Sequence, residues 1–388
     1  MIGNQIERKN FMLFSKSLQT ILKKLQESGF EAFIVGGAVR DIIMGKVPSD
    51  FDIATSALPF DLLEVFKEEK VIETGLKHGT LTVILDGEGF EITSFRTDGE
   101  YGDFRHPERV SFGVSLEEDL SRRDFTINAL AMNENGDIID PFFGVKDIEN
   151  KIIRAVGNPD KRFSEDALRI LRAVRFSATL GFSIEEETAA AMLHNKELLK
   201  NISRERKTEE FIKTLSGEYI SGLPKEAISV LGLSRETLEK ISRLPKIKPL
   251  LLAAAAEENP SILERLVLSR KIKQEALKIL NTPSPKEVNE ISLKKLYLEC
   301  GELGKSVLLL KNKEAVVLWE KIEKEKAFIN KEDLDFSGEE MQRLGVFGKE
   351  IAKVRDKILN GIITGELQNC KEEIEKYILE KGLDRSRK

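Results

Sequence analysis

Disulfide frameworks, zinc sites and membrane spans all lack the residues they require in this chain. Cysteine occurs twice, at Cys300 and Cys370, too few and too far apart for a disulfide framework or a metal site. Histidine occurs three times, at His78, His106 and His194. The longest apolar run, Leu250 to Ala256, falls far short of the roughly 20 residues that cross a bilayer. Near the start, Gln5-Ile6-Glu7-Arg8-Lys9 mixes charges and offers no signal-peptide apolar core. These deficits give the expectation of a cytoplasmic protein with no membrane partner. A basic excess is missing too: 61 Lys and Arg stand against 66 Asp and Glu, a net charge of −5. Any nucleic-acid surface must therefore be local. Residues 151–180 carry seven basic residues against three acidic ones, and Lys381 to Lys388 four against one. The short basic tail has two readings, a solvated end or an RNA contact.

What is present is ordinary globular material, 41% hydrophobic and 33% charged over 388 residues, enough for two to four compact units. Residues 11–28 read as an amphipathic helix with Leu18, Ile21, Leu22 and Leu25 on one face, closed by Gly29. Phe33-Ile34-Val35 and Asp50-Phe51-Asp52 read as strands, and Pro59 opens a short helix through Phe66. Thr80–Leu85 and Phe90–Phe95 alternate around Asp86-Gly87-Glu88-Gly89, a hairpin signal; Asn133-Glu134-Asn135-Gly136 is another. From Asp147 the strand signals fade. Phe163–Leu180 and Ile184–Leu199 read as helices, and Leu/Ile/Lys/Glu-rich segments broken by prolines fill the remainder. No repeat of fixed period is evident. The expected architecture is a small α/β unit over the first ~145 residues and an all-helical body after it.

Gly36-Gly37, twelve residues, then Asp50-Phe51-Asp52 is the most informative stretch. Alternation puts Asp50 and Asp52 on one strand face. Two hard carboxylates suit Mg²⁺, usually held by one or two carboxylates plus substrate phosphates. A glycine pair after a strand lets a triphosphate approach backbone N–H groups. Alone, the carboxylates also read as a solvent-facing edge pair and the glycines as a turn. Glu91, on a strand expected to pair nearby, reads either as an exposed strand residue or as a third or orienting carboxylate. His78-Gly79-Thr80 reads as a turn or as a phosphate contact.

Asp119-Leu120-Ser121-Arg122-Arg123-Asp124-Phe125-Thr126-Ile127-Asn128 is dense in groups that contact ribose and phosphate. Arg123 matches phosphate oxygens bidentately, and Asp124 and Asn128 are four apart. A solvated charge cluster is the alternative. In Glu165-Asp166-Ala167-Leu168-Arg169, Asp166 and Arg169 are three apart. A carboxylate accepting from an exocyclic amine, beside a guanidinium donating to a ring nitrogen or carbonyl, suits cytosine and adenine. Uracil and guanine would leave buried groups unpaired at ~1–3 kcal/mol each. The alternative is a Glu165–Arg169 surface salt bridge, ~0.3–0.5 kcal/mol.

In this order the motifs resemble the class II tRNA nucleotidyltransferases, the CCA-adding enzymes and their poly(A) polymerase relatives. The matching stretches are Gly36-Gly37-Ala38-Val39-Arg40-Asp41 with Asp50-Phe51-Asp52, Arg122 to Ala129, Asp140-Pro141-Phe142, Glu165 to Arg169 and Arg204-Glu205-Arg206. They cover roughly residues 30–210. The resemblance implies an α+β fold: a polymerase-β-like nucleotidyltransferase head at 1–145, then a helical neck (146–215), body (216–320) and tail (321–388). It implies that Asp50 and Asp52 are catalytic and hold two Mg²⁺ ions. It implies that Gly37, Arg40, Arg123, Asp166, Arg169, Arg172 and Arg175 bind nucleotide, with Asp140-Pro141-Phe142 as a hinge. Its substrates would be the tRNA 3′ end, CTP and ATP, and its product CCA. Addition of A or CC alone, polyadenylation, or a non-catalytic RNA-binding role are the alternatives. Phe143 departs from the glycine common in the family at that position, which bears on hinge flexibility. No His-Asp cluster of an appended phosphohydrolase domain is seen, and residues after about 220 match no motif. The segment Asp98–Gly113 resembles the full-length loop that CC-only enzymes shorten, which favours completion through A.

Overall fold

Period-2 segments in the first third of the chain assemble into one mixed sheet, and it is this sheet that sets the positions of the carboxylates. The computed structural model describes residues 14–99 and 110–384. It forms two compact units, one ending at Ser242 and one spanning Arg243–Lys388.

In the first unit, helix α1 (Lys16–Glu27) buries Leu18, Ile21, Leu22 and Leu25, the face its periodicity predicts. It starts at Lys16 because the Ser15 hydroxyl accepts from the Leu18 amide at 3.2 Å; residues 11–13 of the expected helix lie outside the described residues. There follow β1 (Ala32–Val35), α2 (Gly37–Ile43), β2 (Asp52–Thr55), α3 (Pro59–Val65), β3 (Lys70–Ile72), β4 (Thr80–Leu85), β5 (Glu88–Ser94), β6 (Arg96–Asp98), β7 (Val110–Phe112), α4 (Leu116–Ser121), β8 (Ala131–Met132), β9 (Ile138–Ile139) and α5 (Gly144–Glu149). Among the described residues the main sheet runs β3-β4-β5-β2-β1-β8-β9, and β6 and β7 form a separate pair. β1 pairs antiparallel with β2, Val35 opposite Asp52. β5 pairs parallel with β2, Glu91 opposite Asp52.

Several boundaries differ from the sequence expectation. β2 begins at Asp52 rather than Asp50. Gly36 (φ +72°) turns the β1 chain into α2, so β1 has no strand residue opposite Asp50. β5 begins at Glu88 rather than Phe90, because Asp86 (φ +52°) and Gly87 (φ +84°) close the hairpin in two residues. The predicted helix Phe163–Leu180 is two helices, α6 (Pro159–Glu165) and α7 (Leu168–Leu180). Between them Asp166 is extended (φ −143°, ψ 100°) and its carboxylate accepts from the Leu168 amide at 3.0 Å, a local bond that competes with the helix ladder.

Beyond, α8 (Glu186–His194) gives way to a 3₁₀ turn at Lys196–Asn201 in place of one helix to Leu199, and α9 (Arg204–Leu215) follows. The region after 146 is not strand-free: β10 (Ile152–Ile153) pairs parallel with β11 (Ser183–Ile184). The second unit is helical in its described residues, from Lys248–Glu258 to Lys371–Glu380. Leu250 to Ala256 is its most buried helix, all seven side chains enclosed, which accounts for the apolar run. Trp319 packs with Leu293, Leu296, Leu308 and Ile322, and a separate cluster gathers Met341, Val346, Val354, Ile358 and Ile374.

Candidate active site

Asp50 and Asp52 straddle Phe51, whose ring packs edge-on against Phe14 at 6.3 Å. With Phe51 turned toward Phe14, both carboxylates open into the cleft, where neighbouring groups partly shield Asp52 from water, so the expected alternation holds although only Asp52 is in the strand. Asp50 accepts from the Ser49 hydroxyl at 2.8 Å. Burial, then the charges of Glu91 and Asp50, push the Asp52 pKa up to about 6, against the opposing pull of Arg123. Among the described residues no three His, Cys, Asp or Glu side chains form a metal cage. The donor chemistry nevertheless fits Mg²⁺: hard carboxylate oxygens that repel one another and need few protein partners.

Next to them Gly36 turns at φ +72°, and a Cβ there would come within 3.1 Å of Arg123 Nη1. A glycine therefore leaves room for that guanidinium. Arg123 Nη2 donates to Asp119 at 3.2 Å. Arg40 is nearly buried; its Nη1 donates to Asn128 Oδ1 at 2.7 Å and its Nε and Nη2 to Asp41. Its guanidinium is thus held by side chains of its own fold. Asn128 in turn donates to Asp124 at 3.2 Å. The spacing of four suggested one helical face; instead Asp124 precedes an extended Phe125 and the 3₁₀ turn Thr126–Asn128, and the two side chains bond to each other.

Helix α7 supplies the opposite wall. Arg172 Nε donates to Asp124 at 2.6 Å. Burial tends to raise the Asp124 pKa, yet Arg172's charge and the bonds from Arg172 and Asn128 hold it below the usual carboxylate range. Arg175 Nε lies 2.7 Å from Glu210. The Phe176 ring carries three guanidinium groups: Arg175 at 4.1 Å from its centroid, Arg40 and Arg172 each at 5.4 Å.

Asp166 and Arg169 do not pair with each other. Arg206 donates to Asp166 through Nη2 at 2.6 Å and Nη1 at 3.3 Å. Arg169 Nη1 donates to Glu165 at 2.8 Å and to the Arg162 carbonyl at 3.1 Å, and Nη2 to the Arg122 carbonyl at 2.9 Å. The Glu165–Arg169 bridge weighed as an alternative is therefore formed, and at about one-tenth exposure of Arg169 it is no surface pair. Both groups keep capacity. A carboxylate takes about four bonds and Asp166 has three; a guanidinium gives five and Arg169 uses three.

One cleft of about 540 Å³ brings Gly37, Arg40, Asp50, Asp52, Arg123, Asp166, Arg169, Arg172 and Arg175 together. Glu91 is not among the residues that line it; it stands beside Asp52, directly opposite on the neighbouring parallel strand and on the same face of the sheet. The cleft wall also contains Arg122, Arg206 and Lys213, giving eight basic side chains against the carboxylates of Asp50, Asp52, Asp124 and Asp166. A chain of net charge −5 thus concentrates positive charge at one place. Phe176, Lys213 and Arg206's partner role were not foreseen. The signal existed: Arg169, Arg172 and Phe176 fall at helical spacing, as do Arg206 and Lys213 on α9. His78-Gly79-Thr80 is a structural turn in which Thr80 and Thr93 hydroxyls meet at 2.9 Å. Phe143 adopts a left-handed conformation (φ +60°, ψ 31°) at the start of α5, with the Asp140 carboxylate capping the Gly144 and Val145 amides at 2.7 and 2.9 Å. Among the described residues no helix is long and apolar enough to cross a membrane.

A family model described as the Poly A polymerase head domain matches residues 32–154, and one described as a probable RNA and SrmB-binding site of polymerase A matches residues 181–223. The chain is similar to the CCA-adding enzyme of Lactobacillus helveticus (strain DPC 4571), 54% identical over 199 residues, 51% of this chain and 49% of that protein. It is similar to the CCA-adding enzyme of Geobacillus kaustophilus (strain HTA426), 50% identical over 212 residues, 55% of this chain and 51% of that protein. The matched stretch spans about half the length of these curated relatives. The crystal structure of the Bacillus stearothermophilus CCA-adding enzyme in complex with CTP superposes with a TM-score of 0.81 at 33% identity, covering 95% of this chain and 98% of that one.

Proposed function

The chain belongs to the family of CCA-adding enzymes, and from that premise we propose that it adds C, C and A in turn to the 3′ end of tRNA, using CTP and ATP and releasing pyrophosphate. One observation carries the proposal: the carboxylates Asp50 and Asp52 share a single basic cleft with Asp166 and Arg169.

Nucleotidyltransferases of this kind generally use divalent metal ions. Here Asp50 and Asp52 would hold two Mg²⁺, which when bound make the RNA 3′-OH a better nucleophile and neutralise the leaving pyrophosphate. Glu91, opposite Asp52 on the neighbouring strand, adds a third negative charge on that face and so favours a cation beside Asp52. Arg123, beside the Gly36-Gly37 turn, and the Arg40, Arg172 and Arg175 group around Phe176 bind and orient the triphosphate and ribose. The remaining acceptor position of Asp166 takes one hydrogen of an exocyclic amine, and the remaining donors of Arg169 meet an unprotonated ring nitrogen or carbonyl. That combination admits cytosine and adenine and leaves uracil and guanine with unmatched groups. Residues 1–145 then act as catalytic head, 146–215 as base-reading neck, 216–320 as body and 321–388 as the tRNA-binding tail. The Asp98–Gly113 segment, from which completion through A was expected, lies largely outside the described residues.

The test supplies three tRNAs, ending before CCA, after C and after CC, with CTP or ATP separately. CTP is expected to be used on the first two and ATP only on the third. No CTP incorporation on any of them overturns CCA addition. In the same assay Asp50→Ala and Asp52→Ala should abolish incorporation; undiminished incorporation sinks the enzyme reading.

A further inference from the structure

Asp119 is the most enclosed carboxylate beside the cleft, 1% exposed, yet it does not line it. It projects inward from α4, a helix opened by a Ser115–Glu118 capping box. Its Oδ1 accepts from Arg122 Nη2 at 2.8 Å, from Arg122 Nε at 3.2 Å and from the Arg96 amide at 3.3 Å; its Oδ2 accepts from Arg123 Nη2 at 3.2 Å. With four bonds already accepted and its side chain enclosed away from the cleft, Asp119 has no opening through which to touch a substrate. Whatever it does, it does through the groups it holds.

Those groups lead to both halves of the cleft. Arg123 lies between Asp119 on one side and the Gly36 turn on the other, where its Nη1 is 3.1 Å from the position a Cβ would take. Its charge is felt by Asp52. Arg122 is fixed through two nitrogens, and its backbone carbonyl accepts from Arg169 Nη2 at 2.9 Å. Two adjacent arginines would repel; the carboxylate between them offsets one charge and sets both directions. Burial tends to raise the Asp119 pKa, but the charges of Arg122 and Arg123 more than compensate, so it stays ionised below the usual carboxylate range.

We propose that Asp119 is a positioning residue for nucleotide binding and selection. Through Arg123 it fixes the cation beside Asp52 and the glycine turn, and through Arg122 it fixes Arg169. The inference rests on the nucleotidyl-transfer reading above and adds to it the residue that ties the triphosphate arm to the base arm.

The test uses the full chain carrying Asp119→Asn, nearly isosteric and uncharged. KM for CTP and for ATP is expected to rise about tenfold and the preference for CTP over UTP to fall about tenfold, with kcat at saturation within about threefold. A merely structural carboxylate would instead lower Tm and kcat through the active fraction, with KM and the CTP/UTP preference unchanged; that outcome overturns the proposal. In the Asp119→Asn/Arg123→Ala double variant, KM should match Arg123→Ala alone within about twofold. Multiplying effects would show that Asp119 does not act through Arg123. Should Asp119→Asn not fold, Arg123→Lys and Arg122→Lys divide the same question. The first is expected to raise KM with base preference kept, the second to reduce base preference with KM kept, and the same phenotype in both overturns the inference. A wild-type chain that incorporates neither nucleotide fails the activity reading itself; an active wild type with an unaltered Asp119→Asn variant fails only this proposal.

Discussion

At the scale of residues, the proposed base choice turns on how many bonds the Asp166 carboxylate has left. Asp166 gives two of its acceptor positions to Arg206 and one to the Leu168 amide. One position remains, matching one hydrogen of an exocyclic amine. Asp166→Ala should therefore lose discrimination against UTP and GTP by roughly tenfold to a hundredfold, the equivalent of ~1–3 kcal/mol for a mismatched buried polar group. Incorporation of CTP and ATP should continue, because Asp50 and Asp52 are untouched. Competition assays with mixed nucleotides measure this; unchanged selectivity removes the templating role. The sequence made Asp166 visible as a candidate reader and made Arg169 its neighbour, but not its partner. A spacing of three reports a shared face only if the helix is continuous, and here it breaks at Asp166 itself. Arg206 lies 40 residues on, and pairing across that separation is decided by how α9 packs on α7, which no local pattern encodes. Asp50 and Asp52 were legible for the opposite reason: alternation around a half-buried aromatic is a local property, and it holds even though only Asp52 lies in the strand.

At the scale of elements, turns and breaks carry the site more than the helices and strands do. The Gly36 turn, the Asp166 break and the Asp140-Pro141-Phe142-Phe143 turn all stand where one element ends and the next begins. Their residue types were readable, while their effect on neighbouring boundaries was not, because a strand ends where its partner leaves rather than where its own pattern fades. Phe143 is the sharpest case. It is left-handed, and its side chain is 73% exposed, so it accepts the conformational cost of a non-glycine residue without recovering burial. A glycine, usual in the family at that position, would adopt φ +60° freely. Phe143→Gly is expected to stabilise the protein by up to ~1 kcal/mol, less what glycine adds to the flexibility of the unfolded chain. Urea unfolding is the measurement, and a loss of stability would show that the exposed ring has a role the turn geometry does not account for. The α5 cap from Asp140 to the Gly144 and Val145 amides is backbone-directed and should persist in the variant.

At the scale of the whole molecule, the chain separates into one unit ending at Ser242 and another spanning Arg243–Lys388, each with its own buried core. The cleft of Asp50, Asp52 and Asp166 is lined wholly by residues of the first. The chain's one tryptophan lies in the second, where Trp319 is fully buried beside Tyr297 and Phe328, its ring 4.5 Å from that of Phe328. Tryptophan fluorescence therefore follows the second unit alone, while far-ultraviolet circular dichroism follows both. A ligand that binds only the folded form stabilises what it binds by RT ln(1 + [L]/Kd), about 2.7 kcal/mol at a hundredfold excess over Kd. Adding CTP or ATP with Mg²⁺ should consequently raise the temperature of the dichroism transition assigned to the first unit and leave the Trp319 transition in place. UTP at the same concentration should shift the first transition less, since it leaves Asp166 facing a carbonyl. If CTP moves the Trp319 transition and spares the other, the nucleotide does not bind in the cleft of Asp50, Asp52 and Asp166, and the placement of both chemistry and base reading in the first unit fails together.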